Sequence, residues 1–181
     1  PAAVDPDFYK LPKLTQADIE KYSCDVCFVG ARYPQREKLL NTVKDFNLKI
    51  YGWPNWKKSS LASFYNGPLS ISEMVKLYNC AKICININLE PITDGVNLRS
   101  FEIPAAGGFQ LSDYRKGING LFEQGKEIEI FKNEDELRNK IKFYLDNEDL
   151  RKSIALAGQR RVQDHTLDKR VKSMLTYLKV Y

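Results

Sequence analysis

Two acidic residues, Asp94 and Glu102, lie in the segment "DGVNLRSFEIPAAGGFQLSD", with seven residues between them. Paired carboxylates can act as a general acid and a general base when they face each other. Here Asp94 lies in a turn beside Gly95, and Glu102 lies in a predicted helix, so the two occupy different kinds of element. The turn presents backbone N–H groups at the positive end of that helix, which is an arrangement that binds phosphate. The segment therefore favours a phosphate-bearing ligand over a pair of proton-transferring acids.

Short apolar strands alternate with helices from residue 24 onward. The predicted strands are 24–30, 48–52, 81–88, 108–112 and 127–131. Helices are predicted at 33–46 and 70–79, and either Ser70 or Ser72 caps the second. Short apolar strands that alternate with helices indicate a parallel sheet wound on both faces. The predicted fold class is therefore α/β with a doubly wound parallel sheet.

The two ends of the chain differ from this pattern. Apolar residues recur at helical spacing in 133–147, 147–165 and 166–180, which predicts three consecutive amphipathic helices whose apolar stripes pack on the sheet. Residues 1–23 contain several prolines and no hydrophobic period, which is typical of a linker. We therefore expect a linker over 1–23 and one domain over 24–181.

In a doubly wound sheet, ligands bind beyond the carboxyl ends of the strands. The loops at that edge are 30–36, 52–56, 88–99 and 112–120. We expect them to bring Arg32, Arg36, Trp53, Asp94 and Arg99 to one crevice. The P-loop pattern GxxxxGK[ST] and a GxGxxG after the first strand are both missing from the sequence, so neither standard nucleotide motif applies.

Composition narrows the class of protein. The 181 residues are 43% hydrophobic, which is enough for one domain with a substantial core. The 28 basic and 23 acidic residues are interleaved, and the net charge is +5, so a nucleic-acid partner is not expected. The longest apolar runs fall short of the roughly 18 residues that span a bilayer. We therefore expect a cytoplasmic location and a small phosphate-bearing ligand.

Cysteine and histidine usage gives little support for metal or nucleophilic chemistry. Cys24 and Cys27 form a CxxC, and Cys80 and Cys84 form a CxxxC. Cys27 and Cys84 lie in strand-like runs, where free cysteine behaves as a small buried hydrophobe, so no metal is predicted. The one histidine, His165, has no nucleophile motif near it and is expected to be structural.

Several motifs together resemble a known family. The segment "DGVNLRSFEIPAAGG" is similar to the E-G-x-x-L-x-x-x-E-A-x-A-x-G segment of glycosyltransferases with the GT-B fold. The order "FVGARYPQR", "NLRSFEIPAAGG", "LSD" and "HTLDKR" resembles the CgeB-like and group 1 glycosyltransferases. The resemblance runs from "VDPDFY" to the end of the chain, and it implies the Rossmann-like, C-terminal, donor-binding half of such an enzyme.

The resemblance also implies roles for single residues around the sugar and ribose. It places Glu102 against the nucleotide ribose and Asp94 against the donor sugar, although many relatives have the longer Glu at the position of Asp94. A buried Glu102 needs a partner, and either a ribose or Arg99 would provide one.

The diphosphate and the base have their own implied contacts. Backbone N–H groups of Gly95, Val96, Asn97 and Leu98 would face the diphosphate, and Arg32 or Arg36 would neutralise its charge. Leu69 and the aromatic loop after the second strand would flank the base, with Tyr51 or Trp53 stacked on it. The implied donor is a UDP- or GDP-linked sugar, with no metal and no other cofactor.

GT-B enzymes are built from two facing domains, so the resemblance implies a partner domain. That N-terminal domain would bind the acceptor, which could lie at a membrane surface or in the cell envelope. Without it, the donor-binding half is expected to transfer little sugar, since water is not excluded from the crevice. Two alternatives remain at this point, a nucleotide-sugar epimerase with the same donor site and a non-catalytic nucleotide-binding or spore-envelope assembly module.

Overall fold

The computed structural model describes residues 3–10, 12–89 and 94–178. Its strands are β1 (Cys24–Val29), β2 (Leu48–Tyr51), β3 (Ala81–Asn86), β4 (Gln110–Asp113) and β5 (Glu129–Phe131). Its helices are α1 (Gln16–Tyr22), α2 (Pro34–Asn41), α3 (Ile71–Cys80), α4 (Arg99–Ala105), α5 (Glu134–Asp146), α6 (Glu148–Arg161) and α7 (Leu167–Tyr177). The strands form one parallel sheet in the order β2-β1-β3-β4-β5. The predicted fold class is confirmed.

The sheet divides the core into two apolar clusters, one on each face. In β1, Cys27 and Val29 belong to the cluster that contains α3 and α4 side chains. Val26 and Phe28 belong to the cluster that contains α2 and α5 side chains. A strand buried on both faces needs apolar residues at every position, which explains the continuous run "VCFV". The buried free cysteines Cys24, Cys27 and Cys84 fit the same explanation.

The N-terminal segment departs from the sequence prediction. Residues 16–22, expected to lack regular structure, form α1, which begins with a capping box between Thr15 and Asp18. The helix has only two turns, too few for a hydrophobic period to be visible in the sequence. Asp18 also pairs with Lys76 of α3 at 2.8 Å. The described parts of this segment, 3–10 and 12–23, are thus packed on the rest of the domain, whereas a connection to a further domain stays a prediction.

The three C-terminal helices are present, but they do not all bury their apolar stripes. Helix α5 buries Leu137, Ile141 and Tyr144 against the sheet, as expected. Of the five residues of the last predicted stripe, Leu167, Val171 and Met174 in α7 and Leu178 just after it are each exposed by at least half of their surface, and Leu175 is half-buried. The expectation that its stripe joins the core is wrong, because the sheet face is already covered by other helices; residues 179–180 of the predicted helix lie outside the described part.

Within 3–10, 12–89 and 94–178, not one helix is long and apolar enough to cross a bilayer.

Candidate functional site

A cavity of about 550 Å³ lies at the carboxyl edge of the sheet, beyond the ends of β1 and β2. The starts of α3 and α4 close it on the other side. The strand order places this edge beside the point where the chain reverses direction across the sheet, between β1 and β3, where ligands bind in doubly wound folds. The cavity is lined by Val29, Gly30, Ala31, Arg36, Gly52, Trp53, Pro54, Pro68, Leu69, Met74, Asn97, Leu98 and Arg99.

Two glycines allow the ends of β1 and β2 to meet at the cavity wall. Gly52 has a φ of +128°, and a Cβ there would lie 2.4 Å from the carbonyl oxygen of Gly30. That oxygen accepts a hydrogen bond from Nε1 of the buried Trp56 at 2.8 Å. A side chain at position 52 would therefore force the two strand ends apart, and glycine leaves backbone at the cavity surface.

Arg36 lies in the cavity wall with its guanidinium held by backbone carbonyls. Its Nε and NH2 groups donate to the oxygen of Ile87 at 3.1 and 2.7 Å, and its NH1 donates to Ala31 at 3.0 Å. Burial lowers the pKa of Arg36, and the nearby charge of Arg99 lowers it further. Two cationic side chains thus stand at one cavity, which favours an anionic ligand there.

Arg99 approaches the same cavity from the first turn of α4. Its Nε donates to the carbonyl oxygen of Val29 at 3.3 Å, and its NH1 forms an ion pair with Glu102. About a third of the Arg99 side chain remains exposed, against only 6% of Glu102. The guanidinium is therefore fixed on one side and accessible on the other.

Glu102 lies behind Arg99, because the part of α4 that contains it packs into the core. Phe101, Ile103 and their neighbours on this helix are buried, so the carboxylate needs partners within the protein. Oε1 accepts a hydrogen bond of 2.6 Å from the hydroxyl of Tyr9, and Oε2 accepts from Arg99. Of the two partners that the sequence allowed for Glu102, the structure has the arginine, together with a tyrosine that sequence reasoning missed.

A buried asparagine network holds the turn before α4. The N–H of Asn97 donates to Oδ1 of Asn88 at 2.8 Å, and its Nδ2 donates to Oδ1 of Asn86 at 2.9 Å. Asn88 in turn donates to Oδ1 of the buried Asp113 at 2.8 Å. The N–H of Asn97 is therefore already paired within the protein. Sequence reasoning missed this network, although the alternating "ININ" was its visible signal.

The rim of the cavity is apolar and aromatic. Trp53 is 70% exposed there, and Leu69 and Leu98 lie on the same rim. Tyr51, the alternative stacking residue, is 2% exposed and belongs to the core beneath the sheet edge. Its ring is therefore out of reach of a ligand, whereas Trp53 presents a free aromatic face.

The predicted site residues divide into two groups. Of the residues that the structure describes, the cavity brings together Arg36, Trp53, Leu69, Asn97, Leu98 and Arg99, and its lining does not include Arg32, Asp94, Gly95, Val96 or Glu102. Arg32 turns to Glu37, with its Nε 2.5 Å from Oε2. Asp94 lies against Gly117, because a Cβ added at Gly117 would be 2.0 Å from the backbone carbonyl oxygen of Asp94. Residues 90–93 of the predicted loop lie outside the described ranges.

A larger cavity of about 1240 Å³ lies at the N-terminal ends of α2 and α5. Its charged side chains neutralise one another, since Lys38 pairs with Glu134 at 2.8 Å and Arg115 pairs with Asp113 at 2.9 Å. Within the described ranges, the structure forms no group of three or more His, Cys, Asp or Glu side chains that could hold a metal ion. The cavity with Arg36 and Arg99 is therefore the better candidate for an anionic ligand.

Three solved structures share this fold at low sequence identity. A glycosyltransferase from Rickettsia africae has a TM-score of 0.74 at 16% identity, over 98% of this chain and 55% of that chain. Anabaena HepE in complex with UDP and glucose has a TM-score of 0.73 at 13% identity, over 99% and 56%. The C-terminal domain of a group 1 glycosyl transferase from Francisella tularensis has a TM-score of 0.65 at 14% identity, over 91% and 100%.

These structures are GT-B glycosyltransferases, so the fold is the Rossmann-like α/β arrangement of that class. The chain spans about half the length of the first two. A family model described as glycosyl transferase-like matches residues 22–176 of the sequence. The chain that forms this cavity therefore belongs to the glycosyl transferase-like family.

Proposed function

We propose that this chain is the donor-binding part of a glycosyltransferase and that its 550 Å³ cavity binds a nucleotide sugar. One observation carries the proposal: the guanidiniums of Arg36 and Arg99 stand at one cavity whose rim presents the free face of Trp53. Cations beside an aromatic platform suit a diphosphate joined to a base. The volume is within the usual range for small-ligand sites.

In this arrangement the diphosphate lies near Arg99 and the backbone of Gly30, and the base lies on Trp53 beside Leu69. Departure of a nucleoside diphosphate is then assisted electrostatically, with no metal. The family neighbour HepE is described in complex with UDP and glucose, which supports a UDP-linked donor ahead of a GDP-linked one. Asp94 and Glu102 retain their implied sugar and ribose contacts only if their side chains reorient on binding.

The proposal includes an N-terminal domain of the same protein, which would bind the acceptor. The exposed apolar stripe of α7 supports this, because four large apolar side chains on one helix face are unusual on a free surface. The proposal includes the CgeB-like subtype, a cytoplasmic site of action, an acceptor at a membrane or in the envelope, and little transfer by this chain alone.

Titration with UDP, GDP and ADP tests the nucleotide site. The protein has two tryptophans. Trp56 is fully buried and Trp53 is exposed at the cavity, so we expect UDP to change the fluorescence of Trp53 in a saturable manner. Arg99→Ala should weaken UDP binding by at least about tenfold, since hydrogen bonds to charged groups contribute about 1.5–3 kcal/mol. Arg160→Ala, on the exposed surface of α6, is the matched control.

Calorimetry should give the same dissociation constants as fluorescence. A lack of saturable binding by all three nucleotides up to millimolar concentration would refute the proposal. Equal loss of affinity in Arg99→Ala and Arg160→Ala would place the ligand elsewhere.

A further inference from the structure

We propose that Tyr9 is a positioning residue for the cavity: through Glu102 it fixes the guanidinium of Arg99 at the cavity wall. This inference rests on the proposed function, because Arg99 matters to a ligand only if the cavity binds one. Tyr9 itself does not line the cavity among the residues described. Its influence would therefore pass through Glu102, whose carboxylate is not part of the cavity lining either.

The contacts form a continuous chain from the N-terminal segment to the cavity. The Tyr9 hydroxyl donates to Oε1 of Glu102 at 2.6 Å, and both side chains are buried. Oε2 of Glu102 accepts from NH1 of Arg99, whose Nε reaches the carbonyl oxygen of Val29 at the end of β1. Each oxygen of the carboxylate thus has one partner, and the orientation of Arg99 depends on both.

Tyr9 is itself held firmly, so it can serve as an anchor. The segment just before it is tied to the C-terminal region by the hydrogen bonds of Val4 with His165 and Leu167, at 3.3 and 3.0 Å. Burial raises the pKa of Tyr9, so its hydroxyl keeps the proton that it donates. Removing the hydroxyl leaves Oε1 of a buried carboxylate without a donor. The carboxylate of Glu102 would then no longer be fixed in one orientation, and the guanidinium of Arg99 would be released from its place at the cavity wall.

A competing role for Tyr9 predicts the opposite change in nucleotide affinity. If Glu102 must release Tyr9 to accept the ribose, the hydroxyl competes with the ligand, and its removal tightens binding. The effect of Tyr9→Phe on nucleotide affinity therefore separates positioning from competition.

The first experiment measures UDP affinity in Tyr9→Phe. We expect a dissociation constant about three- to tenfold higher than that of the wild type. Tyr22→Phe is the matched control, because Tyr22 lies in the same segment and donates to Glu73 at 3.0 Å, away from the cavity. In the Arg99→Ala background, Tyr9→Phe should have no further effect. An unchanged or lower constant, or an additive effect with Arg99→Ala, would overturn the proposal.

The second experiment needs no nucleotide. Phenylglyoxal modifies accessible arginine guanidiniums, and the rate at Arg99 is followed by peptide mass spectrometry. We expect Arg99 to react several-fold faster in Tyr9→Phe than in the wild type or in Tyr22→Phe, with the rate at Arg160 unchanged. Equal rates at Arg99 in all three proteins would overturn the proposal.

The two experiments separate this inference from the proposed function. If wild-type protein binds no nucleotide, the proposed function fails, and the modification rates still decide whether Tyr9 positions Arg99. Glu102→Gln is the second variant should Tyr9→Phe fold poorly, as judged by circular dichroism. It keeps the shape of the side chain but removes the charge that holds Arg99, so it should also speed the modification of Arg99.

Discussion

His165 is a neutral, structural histidine in this fold. Its Nε2 lies 2.9 Å from the carbonyl oxygen of Leu121, and its Nδ1 lies 3.1 Å from NH2 of Arg170. Because the guanidinium can only donate, Nδ1 must accept and Nε2 must carry the proton. The ring packs against Phe101 and Phe122. Burial, with Arg170 adding to it, lowers the pKa of His165 below its ordinary value.

Stability should therefore fall as the pH falls below about 6.5, the ordinary pKa of histidine. In that range the unfolded chain takes up a proton that the folded chain does not bind until its lower pKa is reached, so the unfolded state gains stability. The slope from this group is at most about 1.4 kcal/mol per pH unit. Urea unfolding between pH 7.5 and 5 measures it.

His165→Gln provides the control, because it removes the single histidine of the sequence while keeping one donor and one acceptor. Carboxylates titrate alike in both proteins, so the variant should lose less stability on acidification than the wild type. Parallel curves for the two proteins would show that His165 does not titrate differently on folding.

Helix α3 was predicted from the sequence, and it contributes a residue to the cavity wall. It buries Val75, Leu77 and Tyr78 in the core and places Met74 in the cavity lining. Its N-terminus was predicted to be capped by either Ser70 or Ser72. In the structure Ser70 is the cap. Its side chain accepts a hydrogen bond from the backbone N–H of Glu73, and the Glu73 carboxylate accepts one from the backbone N–H of Ser70 at 3.0 Å. That N–H is the main cause that lowers the pKa of Glu73 to about 2.

Ser70→Ala should lower the free energy of unfolding by about 1 kcal/mol, because it removes the hydroxyl of the capping box. Ser72→Ala is the matched control, two residues further along and exposed on the first turn, and it should change stability by only a few tenths of a kcal/mol. Urea titration of both variants measures the difference. A larger loss in Ser72→Ala would contradict the assignment of the cap.

The whole domain includes the N-terminal segment that sequence reasoning treated as a linker. Val4, Tyr9 and Tyr22 are each less than 10% exposed and belong to the same core cluster as α3 and α4 side chains. Burying an apolar side chain of this size contributes about 1.5–3 kcal/mol. Such contributions are large beside a total stability of about 5–15 kcal/mol. The folding unit therefore begins before residue 24.

Removing residues 1–23 should lower the stability by several kcal/mol, since three buried side chains and α1 are lost. Removing only 1–14 should have an intermediate effect, because α1 remains. Thermal unfolding of the two truncated chains and the full chain measures the series. Phe8→Ala is the control, since Phe8 is 66% exposed beside the buried Tyr9 and should matter little. An unchanged midpoint in the chain that starts at residue 24 would restore the linker interpretation.

Much of the fold could be predicted from local sequence. The apolar runs at 24–30 and 81–88 and the helical period after residue 133 depend on neighbouring residues alone, and they appear as β1, β3 and the C-terminal helices. Helix α1 was not predicted because it is too short to show a hydrophobic period. The exposure of the apolar face of α7 was not predicted because periodicity does not tell which partner covers a stripe.

The sequence by itself determined the alternation of strands and helices. That alternation also determined that the loops with Arg36, Trp53 and Arg99 lie at the carboxyl edge of the sheet. Only the tertiary structure decided which side chains share the cavity. Glu102 turns inward because its helix packs against the core, and its hydroxyl partner, Tyr9, is 93 residues away along the chain. Local patterns specify elements, whereas the direction of a side chain depends on packing between distant parts of the chain.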